Sequence, residues 1–151
     1  MAIRSERRHM KWTPTQLFDL VADVERYPEF LPWVIAVYVR RRQDQTIWVD
    51  MTIGTGLLRK RFSTVAVFER PQRIKIVSHD PLFECFEQNW TFKPDTESGT
   101  TLGYDVDFRF RSRVLQTLIG ESFADRFARM ADAFQHRARQ LYRHSLPSIV
   151  S

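Results

Sequence analysis

Gln88 is the polar exception on a strand face that otherwise reads Phe86, Trp90 and Phe92 at every second residue. A buried amide must find hydrogen-bond partners. A carbonyl on a bound ligand, a backbone carbonyl or a water would each serve. Tyr104, on a neighbouring apolar stripe, could donate its hydroxyl in the same way, to ligand or to protein. Other chemistries fail on spacing. Cys85 has no evident histidine base, and strand alternation sets it with Glu87 on the face opposite Gln88, so it reads as an inert thiol. His9, His79, His136 and His144 do not cluster and no carboxylate pair has ligand spacing, so no metal site is expected. Gly54-Thr55-Gly56 lacks a third glycine and a following helix, so it reads as a turn and not a dinucleotide loop. Two basic clusters, Arg40-Arg41-Arg42 and Arg59-Lys60-Arg61, contrast with residues 80–107, where seven carboxylates meet Lys93 alone. That polarity suits orientation on an acidic surface, lipid or RNA, and equally a plain solvated face.

The elements that must position these residues follow from periodicity. Residues 2–12 read as a polar first strand. Thr13 caps a helix with Pro14 at its first position and an apolar stripe of Leu17, Phe18, Leu20, Val21 and Val24. Pro28 and Pro32 allow at most short helical turns through Tyr27 to Trp33. Strands are expected over Val34–Arg42, around Ile47–Ile53, over Arg59–Phe68, over Ile74–His79 and around Phe86–Phe92, with turns at Gln43-Asp44-Gln45, Gly54–Gly56, Pro71-Gln72 and Ser98-Gly99. The clearest strand runs from Leu102 to Phe110, where Leu102, Tyr104, Val106, Phe108 and Phe110 alternate with polar residues and Gly103. From Ser112 to His144 the period becomes helical, with Ile119, Phe123, Phe127, Met130, Phe134, Ala138 and Leu141 on one stripe and Gly120 as a kink. The order predicts an α+β domain in which a curved antiparallel sheet wraps a long amphipathic helix.

Composition bounds the rest. The 151 residues fit one domain, 1–151, with ordinary globular proportions of 43% hydrophobic and 27% charged residues. The single Cys85 excludes an internal disulfide and points to a reducing compartment. The N-terminal Arg4, Arg7, Arg8 and Lys11 precede no apolar run, so no secretory signal is expected, and no stretch has the composition of a membrane-spanning helix. The net charge of +5 leaves RNA, ribosomes and anionic membranes open as partners. Aromatics reach 13%, with 12 Phe and 4 Trp, more rings than so small a core usually needs.

The stretch Val21-Ala22-Asp23-Val24-Glu25-Arg26-Tyr27-Pro28-Glu29-Phe30-Leu31-Pro32-Trp33 closely resembles the coenzyme Q-binding START-like family, whose bacterial members include ribosome-association toxins. The resemblance continues through Met51-Thr52-Ile53-Gly54, Phe62-Ser63-Thr64-Val65, Pro71-Gln72-Arg73-Ile74, Trp90-Thr91-Phe92, Val106-Asp107-Phe108 and Asp132-Ala133-Phe134, nearly the whole chain. It departs where Val34 stands in place of a cysteine common after the tryptophan, and where Asp80-Pro81-Leu82-Phe83 replaces a Gly-Pro-Phe turn.

The resemblance implies the helix-grip (START/Bet v 1-like) fold: a seven-stranded sheet around the C-terminal helix, with a hydrophobic cavity between them. It implies non-enzymatic binding of a polyprenyl quinone (ubiquinone), in support of respiratory electron transport, with no resident cofactor. Polyketide cyclases and aromatases share the fold, but no acid–base pair presents itself. The expected cavity lining is Met51, Ile53, Phe86, Gln88, Trp90, Tyr104, Val106 and Phe108 from the sheet, with Phe123, Phe127, Met130 and Phe134 from the helix. Plain core accounts for any one of them equally well. Tyr27, Phe30, Leu31 and Trp33 form either a lid or membrane-touching entrance, or a plug over one end of the core. Each enclosed prenyl unit contributes at most roughly 4 kcal/mol, much of it consumed by binding costs, so two or three units would suffice. The alternative partner is the large ribosomal subunit, met through Arg40–Arg42 and Arg59–Arg61, with subunit association blocked. The expected location is the bacterial cytoplasm, with peripheral contact at the inner membrane.

Overall fold

A computed structural model describes residues 2–95 and 99–142. Ser98 of the expected turn, and His144, lie outside the described residues. Seven strands, β1 (Ala2–Met10), β2 (Val34–Gln43), β3 (Thr46–Thr55), β4 (Leu58–Glu69), β5 (Arg73–Val77), β6 (Phe83–Asp95) and β7 (Gly99–Phe110), form one antiparallel sheet in the order β1-β7-β6-β5-β4-β3-β2. The sheet curves around the C-terminal helix, the helix-grip architecture. Strand alternation explains the packing: Phe86, Gln88, Trp90 and Phe92 on β6 pair across from Phe108, Val106, Tyr104 and Leu102 on β7, and all eight are buried. The same period puts Phe62, Thr64 and Ala66 of β4 on the inner face. Between Val39 and Arg41 a register shift leaves Arg40 as a bulge on the edge strand β2.

Between β1 and β2 lie α1 (Pro14–Ala22) and a 3-10 turn (Val24–Glu29). Helix α1 starts as its sequence dictates. Thr13 Oγ1 accepts from the Gln16 amide at 3.1 Å, and Gln16 Oε1 accepts from the Thr13 amide at 3.0 Å. β5 stops at Val77, short of the expected His79, because the Ser78 hydroxyl turns to donate to the Ser63 carbonyl at 2.6 Å.

The C-terminal helix is not continuous. A single turn, α2 (Arg113–Leu115), passes into a π-helical segment (Gln116–Gly120) and then α3 (Glu121–Ala128); Arg129 interrupts at φ −96°, ψ 10°, and α4 (Met130–Tyr142) follows. The kink expected at Gly120 is thus a widened turn, and a second break falls at Arg129. In the widened turn the Gln116 carboxamide folds back, and its Oε1 accepts from the Phe110 amide at the end of β7 at 2.9 Å. A side chain at Gly120 would crowd it, since a Cβ there lies 2.4 Å from Gln116 Nε2. α4 is fixed at both ends. Arg8 of β1 reaches Asp132 at 2.6 Å and Gln135 at 2.8 Å, and the Tyr142 hydroxyl donates to the Gln16 carbonyl at 2.9 Å.

Candidate ligand cavity between sheet and helix

A mainly apolar cavity lies beneath the junction of α3 and α4. Its walls are Val34, Val49, Met51, Thr64, Ala66, Ile76, Phe86 and Gln88 from the sheet, Phe127 and Met130 from the helix, and Val24, Tyr27 and Trp33 from the segment before β2. The space open to the centre of a water-sized sphere is about 20 Å³, enough for about one water. A benzene-sized ring occupies a cavity of roughly 150 Å³. A ring therefore enters only if wall side chains move.

The expected lining divides in two. Met51, Phe86, Gln88, Phe127 and Met130 meet at this cavity, together with Tyr27 and Trp33 of the proline-stiffened segment. Ile53, Trp90, Tyr104, Val106, Phe108, Phe123 and Phe134 are buried in the surrounding core. There they pack ring on ring: Phe134 on Trp90 at 5.2 Å, Phe108 on Phe127 at 5.1 Å, and Phe123 on Phe110 at 6.2 Å. The cavity wall also contains Val24, Val34, Val49, Thr64, Ala66 and Ile76, outside the expected set. The signal for Thr64 and Ala66 was their two-residue spacing from Phe62 rather than their own hydrophobicity. The Thr64 hydroxyl donates to the Val49 carbonyl at 3.3 Å, which makes it compatible with an apolar wall.

The polar groups near the cavity are poorly served by the protein. Gln88 Nε2 and the Tyr104 hydroxyl both donate to the Met130 thioether sulfur, at 3.7 and 3.4 Å. Sulfur is a weak acceptor. The Trp90 ring lies tilted against Tyr104, centroids 4.1 Å apart, and its Nε1 is buried without an acceptor among the described residues. Two donors on adjacent strands, Gln88 and Tyr104, thus share one weak acceptor on α4. Burial holds the Tyr104 hydroxyl well above its usual pKa, so it remains a donor. Tyr27 is different: its hydroxyl donates to the Val21 carbonyl, and burial, with Asp23 nearby, raises its pKa strongly.

The Tyr27–Trp33 segment packs over one end of the core. Tyr27, Leu31 and Trp33 are buried, and Trp33 stands edge-on against Phe127 at 4.9 Å. Phe30 is half-buried beneath the Arg137 guanidinium, 5.0 Å from its ring, and Arg137 also pairs with Glu29. At the other edge, the turn that departs from the family pattern is closed by Asp80, whose carboxylate accepts from the Ser63 amide at 3.1 Å and the Leu82 amide at 2.9 Å. Phe83 follows it into the core against Phe62, at 4.8 Å.

The basic clusters are not equivalent. Arg40 and Arg61 share Asp50, at 2.9 and 2.8 Å. Arg41 stacks on Trp48 at 4.7 Å, and Arg42 pairs with Glu25 at 2.9 Å. Arg40, Arg41 and Arg42 are exposed, and their contacts are surface pairs that contribute little to the fold. Arg59 and Lys60 form no ion pair among the described residues and lie at the start of β4. Cys85 donates to Asp107 at 3.4 Å, and burial, then Asp107, pushes its thiol up to about 11, the opposite of a nucleophile's shift. Among the described residues no cluster of three or more His, Cys, Asp or Glu could hold a metal ion, and no helix is long and apolar enough to cross a membrane.

Known proteins share both this fold and this sequence pattern. The chain is 34% identical over 126 residues to the ribosome association toxin RatA of Pseudomonas aeruginosa, covering 83% of this chain and 88% of that one. It is 25% identical over 139 residues to the mitochondrial coenzyme Q-binding protein COQ10 of Dictyostelium discoideum, covering 89% of this chain and 68% of that one. Among solved structures, the Zhui aromatase/cyclase from Streptomyces superposes with a TM-score of 0.65 at 15% identity, covering 91% of this chain and 96% of that one, a likeness of fold alone. The family described as polyketide cyclase / dehydrase and lipid transport matches residues 10–135, and the chain belongs to it.

Proposed function

We propose that the protein binds, without chemical conversion, a hydrophobic ligand whose ring carries carbonyl oxygens, a polyprenyl quinone such as ubiquinone, and that it holds or delivers this ligand for respiratory electron transport. The observation that carries the reading is the set of donors at Met130. Gln88, on the cavity wall, and Tyr104, just behind Met130, both rest on its sulfur, so a carbonyl entering the expanded cavity exchanges a weak hydrogen bond for an ordinary one. The printed name of the coenzyme Q-binding relative agrees with this ligand class. No carboxylate, histidine or lysine is among the cavity-lining residues, which supports binding over acid–base catalysis. The test is organic extraction of the purified protein followed by mass spectrometry, with titration of a short-tailed quinone against tryptophan fluorescence. Absence of quinone in the extract together with no saturable quenching refutes the reading.

A second reading is favoured by the 34% identity to a protein named for ribosome association. In it the chain binds the large ribosomal subunit through its basic surface and blocks subunit association. Cosedimentation with ribosomal subunits across a salt series tests it, since phosphate contacts weaken steeply as salt rises.

A further inference from the structure

The antiparallel order puts the β3–β4 turn, the start of β6 and the end of β7 at one end of the sheet. Three large apolar side chains stand in solvent on the turns built at this end. Leu57, at the tip of the β3–β4 turn, is fully exposed at 103%; Leu118 and Val114, one turn apart at the start of the C-terminal helix, are 71% and 66% exposed. Local packing keeps them out. Gly56, at φ 58°, turns the chain so that Leu57 faces away from the sheet. Leu115 and Ile119 take the inward side of the helical turn and leave Val114 and Leu118 outward. The β3–β4 turn and α3 border one surface groove, lined by Trp33, Gly54, Gly56 and Arg126.

Cations flank these side chains. Arg59 and Lys60 follow Leu57 on β4, and Arg111 and Arg113 precede Val114. Arg111 donates to the carbonyls of Pro81 and Phe83, at 3.3 and 3.1 Å. None of these four forms an ion pair among the described residues. Among the nearby acids Glu84 is paired with Arg109 at 3.2 Å and the Asp80 carboxylate accepts from the Ser63 and Leu82 amides, while Glu121 opens α3.

The geometry points to an anionic lipid bilayer as the partner of this end of the molecule. Protruding leucines among cations match the two layers of a membrane surface: apolar tips enter the headgroup–acyl boundary while guanidinium and ammonium groups stay level with the phosphates. RNA would satisfy the cations but leave Leu57, Val114 and Leu118 in water. A specific protein interface buries roughly 800 Å² on each partner, more than three separate side chains supply. Docking there does not depend on the quinone reading. If that reading holds, docking also turns the cavity towards the bilayer, because Trp33 walls both the inner cavity and the outer groove.

Flotation with vesicles tests the proposal, using phosphatidylcholine alone and phosphatidylcholine with phosphatidylglycerol. The wild-type chain floats with the anionic vesicles, less so as salt rises, and little with the neutral ones. The double variant Leu57→Ser, Leu118→Ser loses about tenfold or more in partitioning. Arg59→Glu with Arg113→Glu loses a similar factor. Leu141→Ser and Tyr38→Ser, exposed apolar positions on other surfaces, leave it unchanged. All these variants melt with the wild type. Failure of the wild type to bind anionic vesicles overturns the proposal. So does full retention by the leucine double variant, or binding of a homopolymeric RNA through the same cations while vesicles are ignored. A short-tailed quinone titrated in the absence of vesicles against the leucine double variant keeps the two readings apart. Retained quenching with lost flotation supports docking, and lost quenching in the wild type refutes the ligand reading alone.

Discussion

Replacing Gln88 with leucine should move stability and ligand affinity in opposite directions. The side chain is 4% exposed on the cavity wall, and its amide donates to the Met130 sulfur at 3.7 Å. Removing the amide leaves a thioether that needs no donor, so no buried group is orphaned on the protein side. The leucine adds apolar surface at near-equal volume. The fold should therefore be unchanged or stabilised, by about 0–2 kcal/mol. A quinone carbonyl that accepts from Gln88 loses one hydrogen bond, about 0.5–1.5 kcal/mol, and the affinity falls roughly 2- to 12-fold. Urea unfolding followed by circular dichroism gives the first quantity, and titration of a short-tailed quinone against tryptophan fluorescence gives the second. A loss of more than about 2 kcal/mol in stability with unchanged affinity would refute the argument. In that outcome Gln88 serves the core and the donors at Met130 have no ligand to meet.

Phe127→Ala removes a ring that touches Trp33, Phe86 and Phe108 at 4.9, 5.4 and 5.1 Å, so it should cost about 3–5 kcal/mol in urea unfolding. Arg40→Glu puts a second carboxylate beside Asp50, whose side chain is only 15% exposed, and should cost roughly 1 kcal/mol after screening, while Arg59→Glu leaves the melting temperature unchanged. Tyr27 and Tyr104 stay neutral in the fold but ionise near pH 10 when unfolded, so each lowers stability above about pH 10 by about 1.4 kcal/mol per pH unit, on top of smaller alkaline losses from Cys85 and Tyr142; Tyr27→Phe should remove about one such increment from the slope. Alkylation of Cys85 by iodoacetamide should be slow at neutral pH and rise with a midpoint near 11.

The strand faces were legible because their side chains are large and alternate without exception. On β7 every second residue from Leu102 to Phe110 is both apolar and buried. The wall of β4 was harder to read, since Thr64 and Ala66 carry little hydrophobic weight and only their register against Val49 and Ile47 on β3 assigns them inward. The break at Arg129 was invisible to periodicity. Phe123, Phe127, Met130 and Phe134 are spaced four, three and four apart, as in an unbroken helix, and a single non-helical residue preserves that stripe. The burial of Tyr27–Trp33 was illegible for a different reason. Aromatic side chains in a proline-bearing segment suit an exposed lid as well as a buried cap, and burial is decided by partners distant in sequence, such as Phe127 and Arg137.

The two interruptions of the C-terminal helix give the cavity a thermodynamic character of its own. The eight residues of α3 hang between a π-helical segment and the break at Arg129, so their hydrogen-bond ladder can leave the sheet without unwinding α4, which Arg8 and Tyr142 hold in place. With room for about one water when closed, a ring-sized guest binds the fraction of molecules in which this piece has lifted. Its apparent dissociation constant is the intrinsic one divided by that fraction, so an open population of about 1% weakens binding about a hundredfold. Affinity is then set by the cost of separating Phe123 and Phe127 from Trp33 as much as by any contact the guest makes. A substitution that loosens α3 from outside, without altering the wall, tightens binding.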